Sequence, residues 1–299
     1  DLHSDFGGVV PEIASRAHLA VLTPGIARAL VEAGIAEDRI DAVACTVGPG
    51  LIGALLVGVS AAKALAMAWD VPFVGVNHME AHLYAASLED PTLEFPLLVL
   101  LVSGGHTMLV DMQDHGRYRL VGQTIDDAAG EAFDKVARFL DLGYPGGPAI
   151  DRAALDGDPE AIRFPRAMID DGFDFSFSGL KTSVMNYVRK HPDVSSRDVA
   201  ASFQAAVVDV LVTKARRAAA ATGATGIVLG GGVAANSLLR EEILGACEQD
   251  GIQGFLPSRA MCTDNAAMIA AAGWHRLRAD GPTPLDIGAI PNLKLPLLD

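Results

Sequence analysis

The run Ile40-Asp-Ala-Val-Ala-Cys-Thr46 is followed by Gly48-Pro-Gly50, by a long apolar stretch from Leu51 to Trp69, and then by Phe73-Val-Gly-Val-Asn77. The two short apolar runs predict buried strands, and the stretch between them predicts a helix that begins after a Gly-Pro-Gly turn. A strand–helix–strand unit of this kind joins two parallel strands by a right-handed crossover. The sequence therefore predicts an α/β protein with a partly parallel sheet.

The stretch from Leu51 to Trp69 has the length of a membrane span, and Lys63 is its one charged residue. It also contains Gly53, Gly58 and Ser60, and it lies between two predicted strands. We therefore expect a helix that is buried between the sheet and its neighbours, and no membrane partner.

A second unit is predicted to begin at Phe95-Pro96. The continuous apolar run Leu97–Ser103 predicts a strand, and Met108–Met112 predicts the strand that returns beside it. Between them, Gly104-Gly105 predicts a tight turn in which the glycines supply positive φ angles. We therefore expect one lobe formed by residues 1–96 and 266–299, and another formed by residues 97–265.

The rest of the second lobe contains predicted helices separated by glycines and prolines. We predict an irregular, aromatic insertion at about 158–198. The other predicted elements are helices at 126–142 and 199–221, a strand at 226–229, a helix from Asn236 to Cys247, and a last helix capped by Thr263 or Asp264.

Two histidines lie four residues apart in Asn77-His-Met-Glu-Ala-His82. In a helix both imidazoles project from the same face, so His78 and His82 would form half of a metal site. Asp264 is the best candidate for a carboxylate ligand from elsewhere in the chain. Two imidazoles and one carboxylate leave coordination positions open for a reacting ligand. The alternative is a pair of hydrogen-bonded core histidines.

The spacing around this pair also separates two kinds of metal chemistry. Zinc peptidases carry Glu directly after the first His of His-Glu-x-x-His, where it acts as the base. Here Met79 occupies that position, and Glu80 lies about 200° round the helix from His78. Glu80 is therefore predicted to point away from the metal face, which disfavours a peptidase of that type.

The sequence Leu101-Val-Ser-Gly-Gly-His-Thr107 ends a predicted strand in two glycines. The backbone N–H groups from Ser103 to Gly105 and the serine hydroxyl would suit an anionic phosphate, because glycines allow it to approach closely. The same N–H groups would stabilise charge that develops during a reaction. An ordinary hairpin turn is the alternative.

A second glycine-rich turn, in Ile227-Val-Leu-Gly-Gly-Gly-Val-Ala-Ala-Asn236, joins a predicted strand to a helix. This is the context of a nucleotide-binding loop, although the spacing is not Gly-x-Gly-x-x-Gly. An adenine ring would lie on the glycines and hydrogen-bond to Asn236. Asp134 would accept hydrogen bonds from ribose hydroxyls, and Gly147 and Asp151 would close over the same ligand. A packing turn and a charged helix face are the alternatives.

The composition places limits on partners and compartment. The formal net charge is −14, which argues against a surface that binds nucleic acid over its whole extent. Residues 160–220 are different, because they hold nine Lys or Arg against seven Asp or Glu. An RNA partner would have to dock on a local patch of this kind, unless these charges are solvated helix faces. The three widely spaced cysteines fit a reducing cytosol, and we expect a cytoplasmic protein.

Taken together and in this order, the motifs resemble those of the tRNA threonylcarbamoyladenosine transferases (TsaD/Gcp). The resemblance extends from about residue 5 to residue 290. The matching pieces are Gly7-Gly-Val-Val-Pro-Glu-Ile-Ala-Ser-Arg16, Gly48–Gly58, the His78/His82 pair, the Ser103-Gly-Gly hairpin, Asp126–Lys135, Phe175-Ser-Phe-Ser-Gly-Leu-Lys-Thr182, the triple glycine with Asn236, and Cys262-Thr-Asp-Asn265.

The resemblance implies a two-lobed actin/hexokinase/Hsp70-like fold with a central nucleotide cleft. It implies one divalent metal ion on His78, His82 and Asp264, with Fe²⁺ as the first choice and Zn²⁺ as the second. It also implies that threonylcarbamoyl-AMP is held by the residues Leu101, Val102, Ser103, Gly104, Gly105, Asp134, Gly147, Asp151 and Asn236.

Two departures from the family pattern refine these expectations. The family's opening strand, which reads like Gly-Ile-Glu-Thr-Ser-Cys-Asp-Glu-Thr, has no counterpart here, so the resemblance predicts a first lobe without its first strands. Archaeal and eukaryotic relatives carry Tyr as a further metal ligand at the position of Leu101. Leucine does not bind metal, so the chain resembles the bacterial branch.

The function implied is transfer of a threonylcarbamoyl group from threonylcarbamoyl-AMP to the N6 amine of the adenosine 3′ of the anticodon in tRNA. Implied partners are tRNA, a smaller paralogous subunit (TsaB-like) and an ATPase (TsaE-like). No general base is assigned from the sequence. Two alternatives remain: a small-molecule kinase of the same superfamily, which would favour Mg²⁺ on carboxylates and water, and a non-catalytic nucleotide-binding scaffold subunit.

Overall fold

The computed structural model describes residues 10–90 and 92–298. The first three residues of the Gly7–Arg16 motif therefore lie outside the described residues. The chain divides into two compact units. The first comprises residues up to Tyr84 together with Asn265–Pro296, and the second comprises Ala85–Asp264 with the last residues of the chain.

The helices and strands follow one another in the alternating order that the sequence predicts. In chain order they are α1 (Pro11–Ala33), β1 (Val43–Gly48), α2 (Ile52–Trp69), β2 (Phe73–Asn77), α3 (His78–Leu83), β3 (Leu97–Val102), β4 (Thr107–Asp114), β5 (Arg117–Gln123), α4 (Ala129–Phe139), α5 (Gly146–Ala154), α6 (Ser178–Lys190), α7 (Ser196–Thr222), β6 (Gly226–Gly230), α8 (Ser237–Asp250), β7 (Gln253–Phe255), α9 (Arg259–Cys262) and α10 (Ala266–Asp280).

The first unit is built on the predicted strand–helix–strand motif. Strands β1 and β2 pair in parallel, with Val43 opposite Phe73, and α2 connects them. Helix α10 approaches this sheet closely, because a Cβ atom on Gly273 would lie 2.7 Å from the Cβ of Ala44. Helices α3 and α10 also pack together in this unit. The parallel strand pair confirms the α/β reading of residues 40–77.

Helix α2 was predicted to be buried between the sheet and its neighbours, and the structure buries one side of it. Its buried residues form one stripe, Leu55, Val59, Ala62 and Ala66, and the last three pack against Val47 and Phe73. Ile52, Leu56 and Met67 on its other faces are between 48% and 69% exposed. By length and composition this is one helix of the described chain that could cross a membrane, and 22% of it is buried. The sequence did not reveal this one-sided burial, because α2 is apolar around its whole circumference.

The second unit contains a five-stranded mixed sheet in the order β5-β4-β3-β6-β7. Strands β3, β4 and β5 are antiparallel neighbours, whereas β3, β6 and β7 run parallel. Every residue of β3 is buried, as expected for a central strand. The predicted hairpin of β3 and β4 is confirmed, with Val102 opposite Thr107.

The glycines of this hairpin do not have the positive φ angles that were predicted, so that detail is wrong. The serine before them stabilises the turn instead. Its N–H donates to the His106 carbonyl at 2.8 Å, and its Oγ accepts from the His106 N–H at 3.1 Å. The side chain of Ser103 thus stabilises the turn by a local hydrogen bond to the backbone, as serine hydroxyls do in turns.

The prediction of irregular structure at 158–198 is wrong for residues 178–190, which form α6. Leu180 and Val184 of this helix are buried in the core of the unit. The N–H groups of Phe177 and Ser178, at its start, donate to the Asp126 carboxylate at 2.9 and 3.4 Å. These contacts come from a distant part of the chain, so they cannot be predicted from the local sequence pattern.

The predicted lobe boundaries were 96/97 and 265/266, and the structure divides the chain at 84/85 and 264/265. Residues 85–96 belong to the second unit because its loops bind them. The Ser258 N–H donates to the Glu89 carboxylate, and the Thr225 hydroxyl donates to the Glu94 and Pro96 carbonyls.

Candidate metal centre and nucleotide site

The two histidines lie on the short helix α3, as the spacing predicted. Asn77 caps this helix, and its side-chain oxygen accepts from the N–H groups of Met79 and Glu80. The rings of His78 and His82 have centroids 4.8 Å apart and planes at 74°. His82 is 2% exposed, and His78 is partly exposed. The helix therefore presents a partly exposed imidazole, His78, beside a buried one, His82.

The third predicted ligand lies immediately before α10. Asn265 is the N-cap of that helix, with its side-chain oxygen accepting from the Met268 N–H at 2.9 Å, so the prediction that Thr263 or Asp264 caps it is wrong. Asp264 lies one residue before this cap. Ligand atoms of His78, His82 and Asp264 all lie within 4.8 Å of one another.

This donor set fits a transition-metal ion. Two ligand atoms bound at right angles to one ion, each about 2.1 Å from it, are about 3 Å apart, so side-chain rotations that draw the donors together by up to about 2 Å would bring all three into bonding range. Two imidazoles with one carboxylate form the facial arrangement that leaves coordination positions open. Imidazole suits Fe²⁺ and Zn²⁺ better than Mg²⁺, which prefers oxygen ligands.

Glu80 is directed away from this cluster. It is 1% exposed, and its carboxylate accepts from Arg276 Nε on α10 at 2.8 Å. A buried carboxylate that accepts a charge-assisted hydrogen bond from an arginine is held in place by it. The observed position of Glu80 therefore agrees with the prediction that disfavours a His-Glu-x-x-His peptidase.

The Ser103-Gly-Gly turn offers hydrogen-bond donors to a ligand at Gly104 and Gly105. Among residues 10–90 and 92–298, none accepts a hydrogen bond from the N–H groups of these two glycines. Both residues are exposed. The expectation that the Ser103 N–H is also available is wrong, because it donates to His106. Leu101 and Val102, which the resemblance assigned to the ligand, have no exposed surface.

Glycines near these loops fall into two groups. A Cβ atom on Gly130, Gly146 or Gly231 would lie 2.4 to 2.5 Å from a backbone atom of Ser103, Asp134 or Val102 respectively, so close packing requires glycine at these three positions. Nothing lies within 4 Å of a Cβ atom on Gly104, Gly105, Gly147 or Gly232. Packing does not require glycine at this second group, which leaves room for a ligand.

Asp134 lies on α4 beside the start of α5, where its Oδ1 accepts from the Gly146 N–H at 2.7 Å. Burial raises the pKa of Asp134 above its ordinary value, and the hydrogen bond from Gly146 lowers it only in part. The side chain remains partly exposed. A carboxylate with one oxygen fixed by a backbone donor is a suitable acceptor for hydroxyl groups of a ligand.

Asp151, Asn236 and Ser237 form one hydrogen-bonded group. Asn236 caps α8 through its side-chain oxygen, and its Nδ2 donates to Asp151 Oδ1 at 3.1 Å. Ser237 Oγ donates to the same Asp151 oxygen at 2.7 Å. The second unit therefore links Asp134 to Gly146, beside Gly147, and links Asp151 to Asn236, while the turns at Gly130 and Gly231 pack against the end of β3 at Val102 to Gly104.

Comparison with known proteins identifies the family. The family model TsaD, described as tRNA N6-adenosine threonylcarbamoyltransferase, matches residues 1–271. The protein of that name from Symbiobacterium thermophilum is 55% identical over 298 residues, which cover 99% of this chain and 87% of the relative. Those from Geobacter sp. (strain M21) and Desulfitobacterium hafniense are each 53% identical, over 97% and 98% of this chain and 86% and 87% of theirs. The chain belongs to the tRNA N6-adenosine threonylcarbamoyltransferase family.

Solved structures agree on the fold of this family member. The crystal structure of T. kodakarensis HypF has a TM-score of 0.64 at 16% identity and covers 83% of this chain and 42% of its own. Full-length HypF in a phosphate- and nucleotide-bound form gives 0.61 at 14% identity, with 81% and 40% covered. At these identities the likeness concerns the fold alone, and the predicted two-lobed actin/hexokinase/Hsp70-like class is confirmed.

Two polar residues of this transferase-family chain were missed by sequence reasoning. Ser237 binds Asp151 with both its N–H and its hydroxyl, and Gln204 on α7 accepts from Asn236. The available signal was weak: Gln204 is a polar residue in the mostly apolar stretch Ala200–Leu211, which also contains Ser202 and Asp209. A buried amide in such a run requires a hydrogen-bonding partner, so it could have been singled out.

Proposed function

We propose that this chain transfers a threonylcarbamoyl group from threonylcarbamoyl-AMP to the N6 amine of the adenosine 3′ of the anticodon in tRNA. Membership of the tRNA N6-adenosine threonylcarbamoyltransferase family carries the activity, since relatives of that name are 53–55% identical over nearly the whole chain. In the reaction the N6 nitrogen attacks the carbonyl carbon of the mixed anhydride. A C–N bond forms, the C–O bond to phosphate breaks, N6 loses a proton, and AMP leaves.

We assign the metal ligands as His78, His82 and Asp264, and the observation that carries this part is the 4.8 Å clustering of their ligand atoms. When bound, Fe²⁺ or Zn²⁺ would act as a Lewis acid toward a carbonyl or phosphate oxygen. The cap on α3 and the Arg276–Glu80 pair fix the backbone and the opposite face of the helix that carries the imidazoles. The ligand rings are thereby oriented before an ion arrives.

We assign the adenylate to the second unit. The N–H groups of Gly104 and Gly105 would donate to anionic oxygens of the phosphate, and the carboxylates of Asp134 and Asp151 would accept from hydroxyl groups. Open space at Gly147 and Gly232 would admit the body of the nucleotide. These contacts orient the leaving AMP and stabilise the negative charge that it gains as the C–O bond breaks.

We further propose that the chain works in the cytoplasm with tRNA, a smaller TsaB-like paralogue and a TsaE-like ATPase. Exposed apolar side chains on α1 and α2 support a protein partner, since they are the type of surface that association buries. They include Leu19, Val21 and Val31 on α1 and Leu56 and Met67 on α2, which are 49–80% exposed.

The test is a reconstituted reaction that contains the chain, its two partners, threonylcarbamoyl-AMP and unmodified tRNA. Modified adenosine and AMP should appear in equal amounts, as measured by mass spectrometry and nucleotide chromatography, and both should vanish when this chain is left out. Modification by the partners alone would make the chain a scaffold. Mg²⁺-dependent consumption of ATP without transfer to tRNA would make it a kinase.

A further inference from the structure

Gln204 is a buried amide in the first half of α7. It is 5% exposed, and its neighbours Phe203 and Ala206 are fully buried. Its Oε1 accepts a hydrogen bond of 2.7 Å from Asn236 Nδ2. Because a buried polar group without a partner is costly, this bond fixes the Gln204 side chain and also demands a particular orientation of Asn236.

Asn236 has every hydrogen of its amide committed. Its Oδ1 accepts from the Leu239 N–H at 3.0 Å as the cap of α8, so the amide cannot turn over without losing that cap. Its two Nδ2 hydrogens go to Gln204 at 2.7 Å and to Asp151 at 3.1 Å. In this arrangement Asn236 has no donor left for an adenine ring, which differs from the role that the sequence suggested.

Asp151 accepts hydrogen bonds from Asn236 and from Ser237. Its Oδ1 accepts from Asn236 Nδ2, from Ser237 Oγ at 2.7 Å and from the Ser237 N–H at 3.2 Å. Its Oδ2 has one long contact, 3.3 Å from the Ser237 N–H. The carboxylate is thus held by one oxygen while the other remains an acceptor for a ligand on the partly exposed side of the residue.

We infer that Gln204 is a positioning residue for the adenylate site: it holds the Asn236 amide, which in turn aims Asp151 Oδ2 at the ligand. This inference rests on the proposed function, because it takes the adenylate to bind at Asp151. Rigid support of this kind sets how precisely a binding group is placed.

The test measures AMP binding by isothermal titration calorimetry at fixed pH and salt. Gln204→Leu removes the acceptor but keeps the apolar bulk, and we expect it to weaken AMP binding about tenfold, the usual effect of one unsatisfied buried donor. Asn236→Ser keeps an oxygen that can cap α8 but lacks Nδ2, and we expect a similar loss. The double variant should bind AMP no more weakly than Asn236→Ser alone, because both changes break the same chain of bonds.

Ser202→Ala is the matched control. Ser202 is a fully buried polar residue on the same helix, and its hydroxyl binds Asp158 and the Ile162 N–H instead of Asn236. It should lower Tm and leave AMP affinity within twofold. If Gln204→Leu folds poorly, Gln204→Met takes its place in the cycle.

Three results would overturn the inference. One is unchanged AMP affinity in Gln204→Leu. Another is full additivity of the two variants, and the third is an equal loss of affinity in Ser202→Ala. A wild-type chain that does not bind AMP at all would instead reject the proposed adenylate site, and the role of Gln204 with it.

Discussion

The candidate metal ligands offer their chemistry through side chains, whereas the glycine turns of the second unit offer backbone groups and open space. His78, His82 and Asp264 are donor groups whose identity states what they can bind. In the turns of the second unit the same residue type has opposite functions, because Gly146 is needed for packing and its neighbour Gly147 is not. A site made of side chains can therefore be tested by truncating those side chains to alanine. A site made of backbone groups must be tested by substitutions that add atoms, such as glycine to alanine.

The largest effect is expected at the candidate metal centre. His82→Ala or Asp264→Ala removes one of three metal ligands, and we expect metal content to fall below one tenth of the wild-type value. Transferase turnover should fall at least about 100-fold, because a group that acts in the transition state is lost. Metal is measured by inductively coupled plasma mass spectrometry, and turnover by modified tRNA. His18→Ala, an exposed histidine on α1, is the control and should retain both. Full metal content and normal modification in either variant would reject the assignment.

The adjacent glycines Gly146 and Gly147 give the sharpest contrast within the second unit. Gly146→Ala places a Cβ atom 2.4 Å from Asp134 Cα and should destabilise the protein by about 3 kcal/mol, which lowers Tm by several degrees. Gly147→Ala lies in the first turn of α5 with open space around it, so it should keep or slightly raise Tm. It should instead weaken AMP binding. Thermal unfolding and calorimetry separate the two, and equal Tm losses would remove the distinction between packing and ligand glycines.

Asp134→Asn tests a conflict between stability and binding. Burial raises the pKa of Asp134, so the folded protein favours the protonated form, and the ionised form at pH 7 costs stability. Asparagine should raise Tm at pH 7. This gain should shrink as pH falls through the folded pKa, and it should be absent below the ordinary pKa of about 3.9, where both states are protonated. AMP affinity should fall about tenfold because a charged acceptor is lost. A lower Tm at pH 7 would contradict this account.

The smallest effect concerns RNA docking on α6. Lys181 binds Asp127 at 2.9 Å, whereas Arg189 and Lys190 are exposed. Arg189→Glu and Lys190→Glu should each weaken tRNA binding several-fold, and each should reduce the slope of log affinity against log salt by about one, since one phosphate contact is lost. Lys181→Glu should lower Tm as well, because it places a carboxylate beside Asp127. Filter binding over a salt series measures the slopes, and an unchanged slope would place the RNA contact elsewhere.

Much of the fold could be predicted, because its local patterns agree with the final packing. The run from β1 through α2 to β2 and the hairpin of β3 and β4 have apolar periodicity and turn residues that fit their positions. Helix α6 was missed because its support is not local. The N–H groups at its start are bound by Asp126, about fifty residues earlier in the chain, and its buried face is limited to a few residues such as Leu180 and Val184.

The sequence by itself determined which chemical groups this protein carries: a histidine pair at helical spacing, a carboxylate before the last helix, and glycines at the ends of two strands. Only the tertiary structure decided their use. It assigned the cap of α10 to Asn265, committed both amide hydrogens of Asn236, and buried Gln204 behind them. The physical reason is that hydrogen-bond capacity belongs to a residue, whereas the partners that consume it are brought together from distant positions by packing.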